Sequence, residues 1–186
     1  MNSRQLLILD LDETLISASE SKPDAECDFT VYGYDVKQRP FVSEFLKNIE
    51  GHFDIAIWSS GTTDYVQAIL EKILPVGIIP VFVWCRDRCT ARKNFETDEI
   101  VYLKDLKKVE KRGYSLSKVL IVEDNRANVQ RYYGNAIYVA PFHGDHSDIE
   151  LQKLLPFLID ISQAEDFRSL EKRNWRAHNE KNSAHS

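Results

Sequence analysis

The chain has 186 residues, with 24 basic and 29 acidic side chains and a net charge of −5. That length suits one domain with a substantial core, and the acidic balance argues against a general nucleic-acid binder, which carries a basic excess. No stretch of about 18 apolar residues is present, so no membrane span is expected. The three cysteines, Cys27, Cys85 and Cys89, suit a reducing, cytoplasmic compartment better than a disulfide framework.

Leu6 to Leu9 is a short, wholly apolar run, read as a buried strand. It is too short for a signal-peptide core and is followed at once by acids. The segment Asp28 to Lys37 reads as a hairpin around Gly33. Phe41, Phe45, Leu46 and Ile49 recur at helical spacing, with Pro40 placed at the helix start. Phe53 to Trp58 is a second buried strand, and Tyr65, Val66, Ile69, Leu70 and Ile73 stripe a second helix that Pro75 ends.

Val81 to Cys85 is expected as a third strand, and Trp84 to Tyr102 as an irregular, highly charged excursion. Val119 to Val122 and Ile137 to Val139 supply the last two strands. Leu151, Leu154, Leu155, Leu158 and Ile159 mark a further helix, in which Pro156 forces a break or kink. Apolar runs without polar alternation, separated by helical stripes, predict an α/β fold. The expected core is a doubly wound, mostly parallel five-stranded sheet with a small hairpin insertion and no large cap. Residues 1–172 would form this domain, and the polar residues 173–186 a frayed tail.

Ligands of such sheets bind at the carboxyl ends of the strands. The first strand delivers Asp10-Leu11-Asp12-Glu13-Thr14, the second Ser59-Ser60-Gly61-Thr62-Thr63 and the fourth Glu123-Asp124-Asn125, while Lys104 precedes the fourth. This set matches phosphoryl transfer by a carboxylate. A carboxylate and a phosphate repel each other, so a divalent ion with oxygen ligands, Mg²⁺, is required between them. A second acid two residues on can move protons, and a lysine and hydroxyls can hold the phosphoryl oxygens.

Each feature alone has a plainer reading. Ser59 or Thr62 can cap a helix, Lys104 can be a solvated charge and Glu123-Asp124 a turn. The Cys85, Cys89, His143 and His146 set lacks the spacing of a standard zinc site. Arg86, Arg88, Arg92 and Lys93 suit either an anionic substrate or a solvated loop.

The motifs Asp10-Leu11-Asp12-Glu13-Thr14-Leu15, Arg39-Pro40-Phe41, Trp58-Ser59-Ser60-Gly61-Thr62, Tyr102-Leu103-Lys104-Asp105-Leu106 and Val122-Glu123-Asp124-Asn125 together resemble the haloacid dehalogenase superfamily. Within it, the chain is similar to the small phosphatases of the RNA polymerase II C-terminal domain, the NLI-interacting-factor-like group. The resemblance implies Asp10 as nucleophile and Mg²⁺ ligand, and Asp12 as general acid/base with its backbone carbonyl on the metal. It implies Ser59 and Lys104 as phosphoryl binders and Asp124 as a metal ligand. Thr14, Ser60, Tyr65 and Glu123 are taken as substrate-side residues. Serine stands at 59 where threonine is usual, and Glu123 where aspartate is usual; a longer Glu123 can orient Lys104 or a metal water.

The expected activity is Mg²⁺-dependent hydrolysis of a phosphoserine or phosphothreonine protein or peptide, by a monomer, without nucleic-acid or membrane partners. A small-metabolite phosphatase of the same superfamily is the alternative. An inactive phosphopeptide-binding module is the third reading.

Overall fold

The computed structural model describes residues 4–22, 26–93, 98 and 100–177. In chain order its elements are β1 (Leu6–Leu9), β2 (Ile16–Glu20), β3 (Phe29–Val31), β4 (Tyr34–Gln38), α1 (Val42–Ile49), β5 (Asp54–Trp58), α2 (Thr63–Ile73), β6 (Val83–Trp84), β7 (Thr90–Lys93), β8 (Ile100–Leu103), α3 (Lys107–Glu110), β9 (Val119–Glu123), β10 (Ala136–Tyr138) and α4 (Glu150–Ile161). Five strands form the central sheet in the order β10-β9-β1-β5-β6. Every pairing in that sheet is parallel, with Leu9 flanked by Ile57 and Val122. The predicted α/β sheet is therefore the observed one.

Alternation along the strands explains why the sheet is covered on both sides. Leu7, Leu9, Ile55, Ile57, Leu120 and Val122 pack on one face with the apolar stripes of α1, α2 and α4. Leu6, Ile8, Ala56, Trp58, Val119 and Ile121 pack on the other with Phe82, Trp84, Leu106 and Val109. β1 is the middle strand, so the residue that follows it emerges at the centre of the sheet edge.

Several expectations need correction. The hairpin around Gly33 forms, with Tyr32 (φ 49°) and Gly33 (φ 82°) in the two left-handed positions that a tight hairpin turn requires. It is part of a three-stranded antiparallel sheet β2-β4-β3, whose strand β2 (Ile-Ser-Ala-Ser-Glu) is too weakly apolar to stand out. The third parallel strand is only Val83–Trp84, because this edge leaves Val81 and Val83 exposed. The supposedly irregular excursion contains an antiparallel ribbon, Thr90 to Lys93 against Ile100 to Leu103. Being two-stranded, it leaves Arg92 and Lys93 in water; residues 94–97 and 99 lie outside the described ones.

Pro40 stands outside α1, which begins at Val42 after Phe41 in a left-handed conformation (φ 67°). Pro156 does not end α4. The helix runs through it, since Leu151, Leu154, Phe157 and Leu158 are all buried on its inner face and their burial outweighs one lost backbone hydrogen bond. The supposed tail begins too early. Trp175 is 1% exposed, donates from Nε1 to the Tyr138 carbonyl (3.0 Å) and packs beside Phe157. Residues 178–186 lie outside the described ones.

Candidate active site

The turn after β1 sorts its side chains by burial. Leu11 and Leu15 are fully buried in the core, and the Leu11 carbonyl accepts from the N–H groups of Thr14 (3.1 Å), Leu15 (2.8 Å) and Ile16 (3.1 Å). That tight turn places Glu13 in the left-handed region (φ 56°) and leaves Asp10, Asp12 and Glu13 facing one depression at the sheet edge. Arg39 fixes the turn from beneath. It is buried, donates to the carbonyls of Thr14 (3.0 Å) and Ala140 (2.9 Å), and pairs in a two-pronged bond with Asp148 (2.9 and 2.8 Å). The Glu13 carbonyl in turn accepts from the Phe142 N–H (2.7 Å).

Lys104 arrives from the end of β8, where its N–H bonds to the Asn128 carbonyl (2.8 Å). Its buried ammonium donates to Asp10 Oδ1 and to Glu123 Oε2, the latter at 2.6 Å. Glu123 accepts on its other oxygen from the Asn125 N–H and Asn128 Nδ2, both at 3.2 Å. Asp12 accepts from the Tyr65 hydroxyl (2.6 Å) and from Ser59 Oγ (3.3 Å). Ser59 is held by the N–H of Gly61 (2.9 Å). A side chain at 61 would meet the Tyr65 ring at 2.8 Å, so glycine is needed for tyrosine to reach Asp12.

Thus Asp10, Asp12, Ser59, Tyr65, Lys104, Glu123 and Asp124 converge, as the sequence predicts. Two assignments change. Thr14 is fully buried, with its hydroxyl unpartnered, so no substrate reaches it; it fills the core beneath the turn. Glu123 is also fully buried with both oxygens engaged, so it holds Lys104 rather than substrate. Ser60 lines the depression. Thr62 occupies the N-cap position of α2 without a side-chain cap bond. Sequence reasoning missed Glu13, Arg39, Gly61 and Asn128. The Asp-x-Asp-Glu run exposes Glu13 as a candidate, but Arg39 shows its partners only in the fold.

The electrostatics are lopsided. Asp10, Asp12, Glu13 and Asp124 line the depression and Glu123 lies beneath it, against the single ammonium of Lys104. Burial and the Glu123 charge push Asp10 up to about 8 despite Lys104. Burial and the surrounding carboxylates push Glu13 up to about 7, and burial followed by Asp10 raises Asp124. Burial opposes the Lys104 charge, but Asp10 and Glu123 hold its pKa above the ordinary lysine value. Such an excess of carboxyls calls for a cation. Oxygens of Asp10, Glu123 and Asp124 lie within 4.8 Å of one another, a hard-donor set that fits Mg²⁺. With Glu123 committed to Lys104, Asp10 and Asp124 are the side chains that would hold such an ion.

Two open depressions meet here. One, of about 440 Å³, is bounded by Asp10, Asp124 and the ribbon residues Ile100 to Tyr102. The other, of about 530 Å³, runs between Asp12 and the small sheet, with Tyr32, Tyr34, Tyr65 and Arg86 on its walls. Tyr34 and Tyr65 meet edge to face with centroids 6.0 Å apart. Arg86 donates to the Ser60 carbonyl (2.7 Å) and stacks on Tyr102 (5.0 Å).

The family model of the NLI interacting factor-like phosphatases matches residues 5–168. The chain belongs to this family. It is 32% identical over 177 residues to a "Probable C-terminal domain small phosphatase" of Dictyostelium discoideum, covering 90% of the chain and 55% of the relative. It is 28% identical to the human "CTD small phosphatase-like protein", covering 90% of the chain and 59% of the relative. The chain therefore spans little more than half the length of these relatives. Its fold matches that of the fission yeast RNA polymerase II CTD phosphatase Fcp1 bound to beryllium fluoride. The TM-score is 0.58 at 20% identity, over 97% of this chain and 55% of that one.

Proposed function

We propose that the chain is a Mg²⁺-dependent phosphatase that removes phosphate from phosphoserine or phosphothreonine in proteins, by way of an aspartyl-phosphate on Asp10. The observation that carries this reading is the Asp10 carboxylate at the end of the central strand, bonded to buried Lys104 and close to Asp124, with Asp12 two residues on. Family membership supports the reaction class. The relatives' names, which refer to the RNA polymerase II C-terminal domain, support a phosphorylated protein as substrate. So do the open grooves, which no large domain covers among the described residues.

The chemistry follows from the residues. The Asp10 carboxylate attacks phosphorus, and the bond from phosphorus to the seryl or threonyl oxygen breaks. Asp12 gives that oxygen its proton. Water then attacks the aspartyl-phosphate, Asp12 takes the water proton, and Asp10 is released with inorganic phosphate. Lys104 and Ser59 carry the charge that develops on the phosphoryl oxygens. Asp10 and Asp124 would hold Mg²⁺, which would offset the repulsion between carboxylate and phosphate.

The test is steady-state hydrolysis of an aryl phosphate and of phosphopeptides, with and without chelator. Activity should vanish in excess chelator and return with Mg²⁺. Asp10→Asn should lower kcat by at least about a thousandfold while the chain stays folded. Full activity in chelator, or near-normal turnover by Asp10→Asn, overturns the mechanism. Tyr65→Ala should harm kcat/KM more on a phosphopeptide than on the aryl phosphate; equal loss on both favours a small-metabolite substrate.

A further inference from the structure

Behind Asp124 lies a third cleft, of about 690 Å³, which the reaction above does not use. Asp124 lines both this cleft and the depression at Asp10, so the two adjoin at that residue. Its other walls carry Arg126, Arg168, Lys172, Arg173 and Arg176, against only Asp124 and Glu171 as acids. In a chain of net charge −5, five cations around one cleft is a marked local reversal of sign.

The pairing of these cations shows which charge is left over. Arg173 pairs with Glu171 (2.6 Å), and Arg176 pairs with Glu150. Lys172 is 6% exposed, and its ammonium is held by the carbonyls of Phe167 and Leu170, the latter at 2.9 Å. Carbonyls orient an ammonium but do not cancel its charge. Arg126 stacks on the Tyr138 ring (4.6 Å), which leaves its guanidinium edge free for an acceptor. Arg168 is exposed, and among the described residues neither it nor Arg126 has a carboxylate partner. Tyr138 pairs in register with Glu123, so Arg126 stands beside the strand that carries the metal-side acids. Guanidinium groups on a fixed surface match phosphate oxygens two at a time.

We propose that this cleft is a second anion subsite, which takes another phosphate of the same peptide whose phosphoseryl or phosphothreonyl group sits at Asp10. The proposal rests on the phosphopeptide reading above and sharpens it: the preferred substrate is multiply phosphorylated. The same cations also draw anionic chains toward the centre, an effect that salt weakens.

The test uses the full chain and peptides of one sequence, singly phosphorylated or carrying a second phosphate at each position in turn. Binding is measured by fluorescence anisotropy on the Asp10→Asn chain, and hydrolysis on the wild type. At low salt, at least one doubly phosphorylated peptide should bind about tenfold more tightly than the singly phosphorylated one. That ratio should fall to about twofold in a chain also carrying Arg126→Gln and Arg168→Gln, and to a value between the two with Arg126→Lys and Arg168→Lys, which keep the charge but lose the paired donors. Taking the ratio cancels any general loss of folded protein. Equal binding of all peptides, or a preference left intact by the glutamine variants, overturns the subsite. Tight binding to phosphatidylserine vesicles without any preference among peptides overturns it too. A binding preference without turnover supports the subsite while refuting the catalytic reading.

Discussion

Lys104→Met isolates the electrostatic design of the site. The ammonium lies between Asp10 and Glu123, and all three groups are buried. Without metal, the pair can keep one carboxyl ionised only because Lys104 faces it. Methionine fills similar space and offers no charge, so both carboxyls must hold protons in the folded variant. The ordinary glutamate value is 4.5. Keeping one more glutamate protonated at pH 7.0 therefore costs 2.5 pH units at about 1.36 kcal/mol each, or about 3.4 kcal/mol. At pH 5.5 the same proton costs about 1.4 kcal/mol. Above pH 4.5 the folded variant holds one more proton than folded wild type while the two unfolded chains titrate alike, so its stability relative to wild type falls as pH rises; below that value the penalty disappears. Urea denaturation of wild type and variant in chelator at both pH values measures the difference. The gap should narrow by about 2 kcal/mol on acidification. An equal gap at both pH values would show that Lys104 contributes packing alone and that the carboxyl pair does not depend on its charge.

Thr14→Val replaces a buried hydroxyl that has no partner with an apolar group of the same shape. It should leave kcat/KM unchanged and leave stability equal or raised by about 1 kcal/mol in urea denaturation; a large loss of activity would restore Thr14 to the substrate side. Trp175→Ala empties a buried site against Phe157 and α4. It should cost about 3–5 kcal/mol in the same assay, whereas a neutral result would return this residue to a frayed tail.

The central sheet was legible because each parallel strand is buried on both faces, and Leu6 to Leu9 or Val119 to Val122 can have no other use in a chain of this size. The site was legible for the same reason: an acid directly after such a run must stand at the sheet edge. What stayed hidden were the half-exposed elements. Strands β2 and β7 mix small or charged residues into their runs, and β8, although apolar, is short and half-exposed, so the pairing shows in hydrogen bonds across the chain rather than in a hydrophobic pattern. Thr14 and Glu123 were misassigned because position after a strand does not say which side of the backbone a side chain takes. Glu123 is still within β9 and buried, whereas Asp124, one residue later, reaches the depression. Lys104 was found by its place ahead of the fourth strand, but its partners Asp10 and Glu123 are 94 and 19 residues away, a distance that no local pattern spans. Arg39 was seen only as part of a motif, and its bonds to Thr14, Ala140 and Asp148 give the motif its physical meaning.

Asp10 and its lysine partner are built into the five-stranded sheet and its immediate neighbours, while the groove walls come largely from two separate antiparallel pieces, β2-β4-β3 and β7-β8. Those pieces lie at the sheet edge, the first anchored in the core by Ile16, Val31 and Val36. Insertions, deletions or charge changes there can accumulate without moving Asp10, because the strand beneath it is clamped on both sides by β5 and β9. A lineage built on this frame can therefore change its targets while keeping its reaction. An engineer can do likewise, by grafting walls from a relative of different preference onto this sheet.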